Sequence, residues 1–271
     1  MPQRLVVKVG TSTLTHPSGA LDLRSMEALV RVLSDLNGRG WQVVLVTSGA
    51  IAVGTARMGL LERPRALRMK QAAAAVGQCR MMHIYDKLFA EYNRTMAQIL
   101  LTGDDVSDPA RAAHLRATFS ALLELGVIPV VNENDSVSSA EIETGAHKVL
   151  GDNDTLSAMV AALCGARLLV LLSDIDGLYT ADPRADPSAR LLPLVEALTP
   201  EVRRLAGGAG TWRGTGGMAT KLSAAEIAMR AGCDMVITNG ARPGSLYDIT
   251  EGKPVGTRFV GASTQGGEAH D

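Results

Sequence analysis

Arg4-Leu5-Val6-Val7-Lys8-Val9-Gly10-Thr11-Ser12 sets the fold class. It is a short, nearly continuous apolar run that ends in glycine and hydroxyl residues. A strand half exposed to water would alternate apolar and polar side chains. A run without alternation suits a strand covered on both faces, as in a parallel sheet. The same character recurs at 42–47, 97–102, 127–131, 167–172 and 235–238. The segments 22–37, 66–93, 108–125, 155–164 and 220–231 read as helices. Strand–helix alternation predicts an α/β fold, a mostly parallel sheet with helices on both sides. Ligands of such sheets bind beyond the carboxyl ends of the strands.

Polar and glycine clusters stand where that rule requires them. The first strand ends at Gly10-Thr11-Ser12 and the second at Thr47-Ser48-Gly49-Ala50. The fourth ends at Asn132-Glu133-Asn134-Asp135, the fifth at Ser173-Asp174 and the last at Asn239-Gly240. Two lysines belong to glycine-punctuated segments more than two hundred residues apart. Lys8 lies in the opening stretch, and Lys221 closes Gly214-Thr215-Gly216-Gly217-Met218-Ala219-Thr220-Lys221. The chain has six lysines against twenty-one arginines, so lysine at both places suggests a need for a compact, mobile point charge. Glycine lets backbone N–H groups approach a phosphate, and a helix start adds partial positive charge. Two such sites converging on one ligand would suit a triphosphate whose terminal group is moved.

Each cluster also has a plainer reading. Residues 214–221 fail the P-loop spacing and, with no strand before them, serve equally as a glycine loop capping a helix. Ser48-Gly49-Ala50 is either a Ser N-cap, worth about 1 kcal/mol, or an anion pocket made from the same amides. Asn132-Glu133-Asn134-Asp135 and Gly151-Asp152-Asn153-Asp154 are surface turns or groups that hold an ammonium and position nearby lysines. Asp154, just ahead of an apolar helix, is a cap, an organiser of Lys8 and Lys221, or both. Asp174-Ile175-Asp176-Gly177-Leu178-Tyr179-Thr180-Ala181-Asp182-Pro183-Arg184 is a long turn or a nucleotide-contacting loop.

Bulk properties narrow the classes. With 271 residues, 46% hydrophobic and 20% charged, the chain can build one large α/β domain. A net charge of −1 gives no electrostatic reason to bind nucleic acid or an anionic membrane. No apolar run reaches the roughly 20 residues of a membrane helix, and no signal peptide is visible, so a cytoplasmic location is expected. Cys79, Cys164 and Cys233 are far apart in Ala-rich surroundings and read as small buried hydrophobes. His16, His83, His114, His147 and His270 have no metal-ligand spacing. The segment 207–210 reads as a mobile loop and 263–271 as a frayed tail after a domain covering 1–262.

Seven segments, in order, resemble the amino acid kinase family. They are Val7-Lys8-Val9-Gly10-Thr11-Ser12, Val46-Thr47-Ser48-Gly49-Ala50-Ile51, Lys70-Gln71-Ala72-Ala73-Ala74-Ala75-Val76-Gly77-Gln78, Asn132-Glu133-Asn134-Asp135, Gly151-Asp152-Asn153-Asp154, Gly177-Leu178-Tyr179-Thr180-Ala181-Asp182-Pro183-Arg184 and residues 214–221. The third and fourth point to those members that act on glutamate. The resemblance implies an α/β/α sandwich. It implies transfer of the ATP γ-phosphoryl group to the side-chain carboxylate of L-glutamate, the first step toward proline.

By the same resemblance, Lys8 and Lys221 contact the transferring phosphate and Asp154 orients both. Ser48, Gly49, Asp135 and Asn153 hold glutamate. Lys8, Gly10, Ser173, Asp174, Thr215, Gly216, Gly217, Met218, Ala219, Thr220 and Lys221 hold the nucleotide. Mg²⁺ would arrive bound to ATP instead of on protein side chains. Proline is implied as a candidate feedback inhibitor, and the assembly as a homodimer or homotetramer. A C-terminal PUA domain carried by many bacterial members is expected to be missing. The segments Ala112-Ala113-His114-Leu115-Arg116-Ala117-Thr118 and 144–150 depart from the family pattern. Other acceptors, such as N-acetylglutamate or aspartate, and a non-catalytic glutamate or proline sensor remain the competing readings.

Overall fold

The computed structural model describes residues 3–137, 153–206 and 217–262. In chain order the elements are β1 (Arg4–Val9), α1 (Thr11–Leu14), α2 (Leu23–Gly38), β2 (Gln42–Val46), α3 (Ala50–Arg57), α4 (Leu67–Ala90) and β3 (Met96–Leu101). There follow α5 (Gly103–Ser107), α6 (Pro109–Glu124), β4 (Ile128–Glu133), α7 (Asn153–Cys164), β5 (Leu168–Ser173) and β6 (Leu194–Val195). The last are α8 (Pro200–Leu205), α9 (Met218–Arg230), β7 (Asp234–Asn239), α10 (Ser245–Thr250) and β8 (Thr257–Phe259). The strands form one sheet in the order β3-β4-β2-β1-β5-β7-β8-β6. Every pair is parallel except β7 with β8.

Side-chain parity explains the unbroken apolar runs. On one face Val6, Val44, Val46, Val131, Leu169, Leu171 and Ile237 pack with Phe119 of α6, Leu156 of α7 and Leu222 of α9. On the other Leu5, Val7, Val43, Leu45, Val130, Val170 and Val236 pack with Leu29 and Leu33 of α2, Tyr85 and Phe89 of α4 and Leu246 of α10. Successive strand residues point to opposite faces, so a strand with helices on both sides must be apolar at every position. The expected three-layer α/β/α sandwich is what forms. Among the described residues no helix is long and apolar enough to cross a membrane.

The expected segments correspond to real elements, with three differences. β4 continues through Asn132 and Glu133, so these residues belong to the strand and not to a turn after it. The small β6–β8 edge was not anticipated, because strands of two and three residues carry too little apolar pattern to be read. The cysteine expectation holds for two of three. Cys164 and Cys233 are buried, and burial pushes both thiols up to about 12, whereas Cys79 is exposed on α4. The expected loop at 207–210, the 144–150 departure and the tail at 263–271 lie outside the described residues.

One packing device depends on glycine. A Cβ on Gly54 would sit 1.7 Å from the Ala73 carbonyl oxygen, and one on Gly77 would sit 1.8 Å from that of Ala50. α3 and α4 therefore run antiparallel with their backbones in contact. At about 1.5 Å per residue, the 24 residues of α4 span roughly 36 Å, well beyond a six-residue strand. Its C-terminal half covers the sheet through Met81, Tyr85 and Phe89. Its N-terminal half grips α3 and carries Gln78 to the carboxyl edge of β4.

Candidate active site

Lys8 occupies the last turnward-facing position of β1, paired with Val46 on one side and Leu171 on the other. It shares the parity of Val6, so its side chain leaves the sheet on the α7–α9 face. There it meets Asp154, in the first turn of α7. Lys8 Nζ lies 2.5 Å from Asp154 Oδ1, and Lys221 Nζ lies 3.0 Å from Asp154 Oδ2. Thr220 Oγ1 stands 3.4 Å from the same Oδ2. Asp154 is 1% exposed and Lys221 5%. Residues distant in sequence thus form one buried lysine–aspartate–lysine cluster. Burial acts most strongly on Asp154 and raises its pKa, but the two ammonium groups outweigh it and hold the carboxyl below its ordinary value. Among the described residues one carboxylate meets two ammonium groups, an arrangement that favours an anionic ligand.

Three helices begin beside this cluster without a side-chain cap, each led by glycine. They are α1 after Gly10, α3 after Gly49 and α9 after Gly217. By contrast Asp22, Asp108 and Thr199 cap α2, α6 and α8 elsewhere. Uncapped starts leave backbone N–H groups available to phosphate oxygens. Gly49 has φ +101°, in the left-handed region, and a Cβ there would lie 3.3 Å from the Thr11 methyl. The Ser N-cap reading of Ser48 is therefore corrected: Gly49 is the cap residue and Ser48 precedes it. Lys221 lies in the expected helix, which starts two residues earlier than expected, at Met218. Met218, Ala219 and Thr220 are the first turn of that helix, while Gly214, Thr215 and Gly216 lie outside the described residues.

Ser48 joins a chain of amides instead. Asn153 Nδ2 donates to Ser48 Oγ at 2.9 Å, to the Thr47 carbonyl at 3.0 Å and to Asn132 Oδ1 at 3.2 Å. Asn132 Nδ2 donates onward to Gln78 Oε1 at 2.8 Å. This relay crosses the carboxyl edge of the sheet from α7, over β2 and β4, to α4. It ends at a cavity of about 330 Å³ that Gln78, Glu133, Asn134, Asp135 and Ser136 help to line. Asp135 thus sits at the β4 end of the edge, away from the lysine cluster. On the opposite side of Lys8, Ser173 ends β5 and donates from Oγ to Asp174 Oδ1 at 3.1 Å. The Gly240 N–H closes against the Ser173 carbonyl at 2.8 Å.

The structure therefore brings Lys8, Asp154, Lys221, Ser48, Gly49, Asn153 and Gly10 to one edge, with Ser173 and Asp174 on one flank and Asp135 on the other. Of the second acid cluster, Gly151 and Asp152 lie outside the described residues. Sequence reading missed Asn132 and Gln78 as members of the network. The signal for Asn132 was a buried amide closing an otherwise apolar strand; Gln78, on a helix, had none at short range.

Residues 3–239 match the profile of the amino acid kinase family. The chain is 50% identical over 258 residues to a glutamate 5-kinase of Clostridium perfringens, covering 95% of both chains. It is 54% identical to a glutamate 5-kinase of Carboxydothermus hydrogenoformans, covering 95% of this chain and 68% of that longer one. Among solved structures, carbamate kinase from Giardia lamblia bound to AMP-PNP superposes with a TM-score of 0.66 at 17% identity, over 96% of this chain and 99% of that one, a likeness of fold. With the family profile matched over most of its length, and half-identical relatives over nearly all of it, this chain belongs to the amino acid kinase family.

Proposed function

We propose that the chain transfers the γ-phosphoryl group of ATP to the side-chain carboxylate of L-glutamate, giving γ-glutamyl phosphate. The observation that carries this reading is the Lys8–Asp154–Lys221 cluster at the carboxyl edge of the sheet. Half-identical glutamate 5-kinases support glutamate as the acceptor, and with it a place at the entry to proline synthesis.

The chemistry needs no general base, because the acceptor carboxylate is ionised at neutral pH. The difficulty is electrostatic: an anion must approach a polyanion. Lys8 and Lys221 neutralise the migrating phosphoryl group, most strongly as its charge spreads in the transition state. Asp154 holds the two ammonium groups at a fixed separation. The glycine-led starts of α1, α3 and α9 add N–H donors for phosphate oxygens. Ser173 and Asp174, with Met218, Ala219 and Thr220, line the nucleotide side. Ser48, Gly49 and Asn153 receive the acceptor, and Asp135 takes its α-ammonium.

The residues fit a divalent cation, Mg²⁺ by this reading, that arrives with the nucleotide. Both Asp154 oxygens already face ammonium groups. Bound to ATP, the cation would offset phosphate charge. Proline as feedback inhibitor and a homodimeric or homotetrameric assembly belong to the same reading.

The test is hydroxylamine trapping of the acyl phosphate with ATP, Mg²⁺ and glutamate, N-acetylglutamate or aspartate, each with and without proline. Hydroxamate formed from glutamate alone is expected. Formation only from another acceptor, or from none, would overturn the assignment.

A further inference from the structure

The amide relay has a direction, and it leaves one atom at each end, Asn153 Oδ1 and Gln78 Nε2, without a partner among the described residues. The Thr47 carbonyl can only accept, so Asn153 must turn Nδ2 toward it. That places a donor opposite Asn132, which must answer with Oδ1. Asn132 then has only Nδ2 to offer Gln78, which must answer with Oε1. A backbone carbonyl just after β2 thus dictates the orientation of a glutamine on α4, two side chains away. What remains at the far end is Gln78 Nε2, a donor. It is buried and has no hydrogen-bond partner among the described residues, on a side chain only 8% exposed. Buried polar groups are nearly always paired, so an orphan donor on a residue lining a cavity calls for a ligand acceptor.

We propose that Gln78 is a specificity-determining residue that donates from Nε2 to the α-carboxylate of the amino acid acceptor; this rests on the glutamate-phosphorylating activity proposed above. The acceptor offers three polar groups. Its ammonium has no lone pair to receive a donor. Its side-chain carboxylate must reach Lys8 and Lys221 to be phosphorylated. β4 lies two strands from β1, roughly 10 Å at the usual strand spacing, so the group at the Gln78 end is the one remote from the reaction. That leaves the α-carboxylate. Glu133 and Asp135, lining the same cavity, supply negative charge suited to the neighbouring ammonium.

The decisive variant is Gln78→Glu. It keeps the shape and an oxygen for Asn132 Nδ2, so the relay survives, but it replaces the free donor with an anionic oxygen facing the α-carboxylate. Steady-state kinetics would be measured for wild type and variant with glutamate, with glutarate (no α-ammonium) and with 4-aminobutyrate (no α-carboxylate). Circular dichroism and thermal melting would check the fold. Loss of a hydrogen bond to a charged group predicts a KM for glutamate and for glutarate raised about 10- to 100-fold. The KM for ATP and kcat should change less than about threefold, and 4-aminobutyrate should show no further loss. If Gln78→Glu does not fold, Gln78→Met is scored against the same three acceptors. An unchanged glutamate KM, or an equal loss with 4-aminobutyrate, overturns the assignment of Gln78. Wild-type protein without glutamate-dependent turnover would instead overturn the activity itself, so the two failures are distinct.

Discussion

Asp154 owes its titration to two opposed effects of its position. Burial works against its charge, and the ammonium groups of Lys8 and Lys221 work for it and prevail. A carboxyl held below its ordinary value of 3.8 is ionised in the fold at every pH where the unfolded chain would ionise it. Its stabilisation is therefore complete above that value and is lost as pH falls through the lower, folded one. Asp154→Asn should cost about 3–5 kcal/mol at neutral pH, because it removes the buried carboxylate that Lys8 and Lys221 share. Denaturant melts from pH 7 down to pH 3 should show this difference constant at first and shrinking only in strong acid. A difference that grew on acidification would mean that the carboxyl is protonated in the fold. Lys221→Ala acts on the reaction. It should keep glutamate binding but lower kcat on the order of 10²–10³, comparable to losing one oxyanion donor; unchanged turnover would remove Lys221 from the mechanism. Asp135→Ala should raise the glutamate KM far more than the ATP KM, and initial-rate measurements varying each substrate would show an equal rise if Asp135 had no such role.

At the scale of elements, the α3–α4 pair fixes the acceptor side of the site. α3 starts at Gly49, beside Ser48, and α4 brings Gln78 to Asn132. Their relative position rests on backbone-to-backbone contact at Gly54 and Gly77, where neither flexible side chain nor empty space can absorb a methyl group. Gly54→Ala should destabilise the fold by about 3 kcal/mol or more, the upper range for overpacking. Thermal melting would read this as a fall in Tm on the order of 10 °C. Because the α3 start would shift with it, the glutamate KM should rise alongside, and a Tm unchanged by Gly54→Ala would contradict the tight packing. The same contact shows why the helix-rich stretch at 66–93 was readable as a helix but not as a partner of α3. Its length and alanine content are local, whereas the place where two helices touch depends on a groove only their packing creates.

Across the whole molecule, the site is assembled from β1, α3, β4, α7 and α9, so ligand binding should be felt by the entire fold. ATP with Mg²⁺, present at about 100 times its Kd, should stabilise the protein by about 2.7 kcal/mol. Differential scanning calorimetry should show the Tm rising with nucleotide, and less so for Lys221→Ala. A Tm indifferent to nucleotide would argue that the lysine cluster does not bind phosphate. Sequence by itself determined the layered α/β architecture, because strands buried on both faces leave an unmistakable apolar run and their carboxyl ends leave polar punctuation. It also singled out Lys8, Asp154, Lys221, Ser48 and Asn153, whose unusual residue types stand beside those ends. Packing chose among the readings of Asp154 by setting it between two lysines, made Gly49 and not Ser48 the cap of α3, and joined Asn132 and Gln78 to the acceptor side. These are facts about direction: which face a strand residue takes, which way an amide turns, which helix start remains uncapped. Direction is set by neighbours that the fold, and not the order of residues, brings within reach.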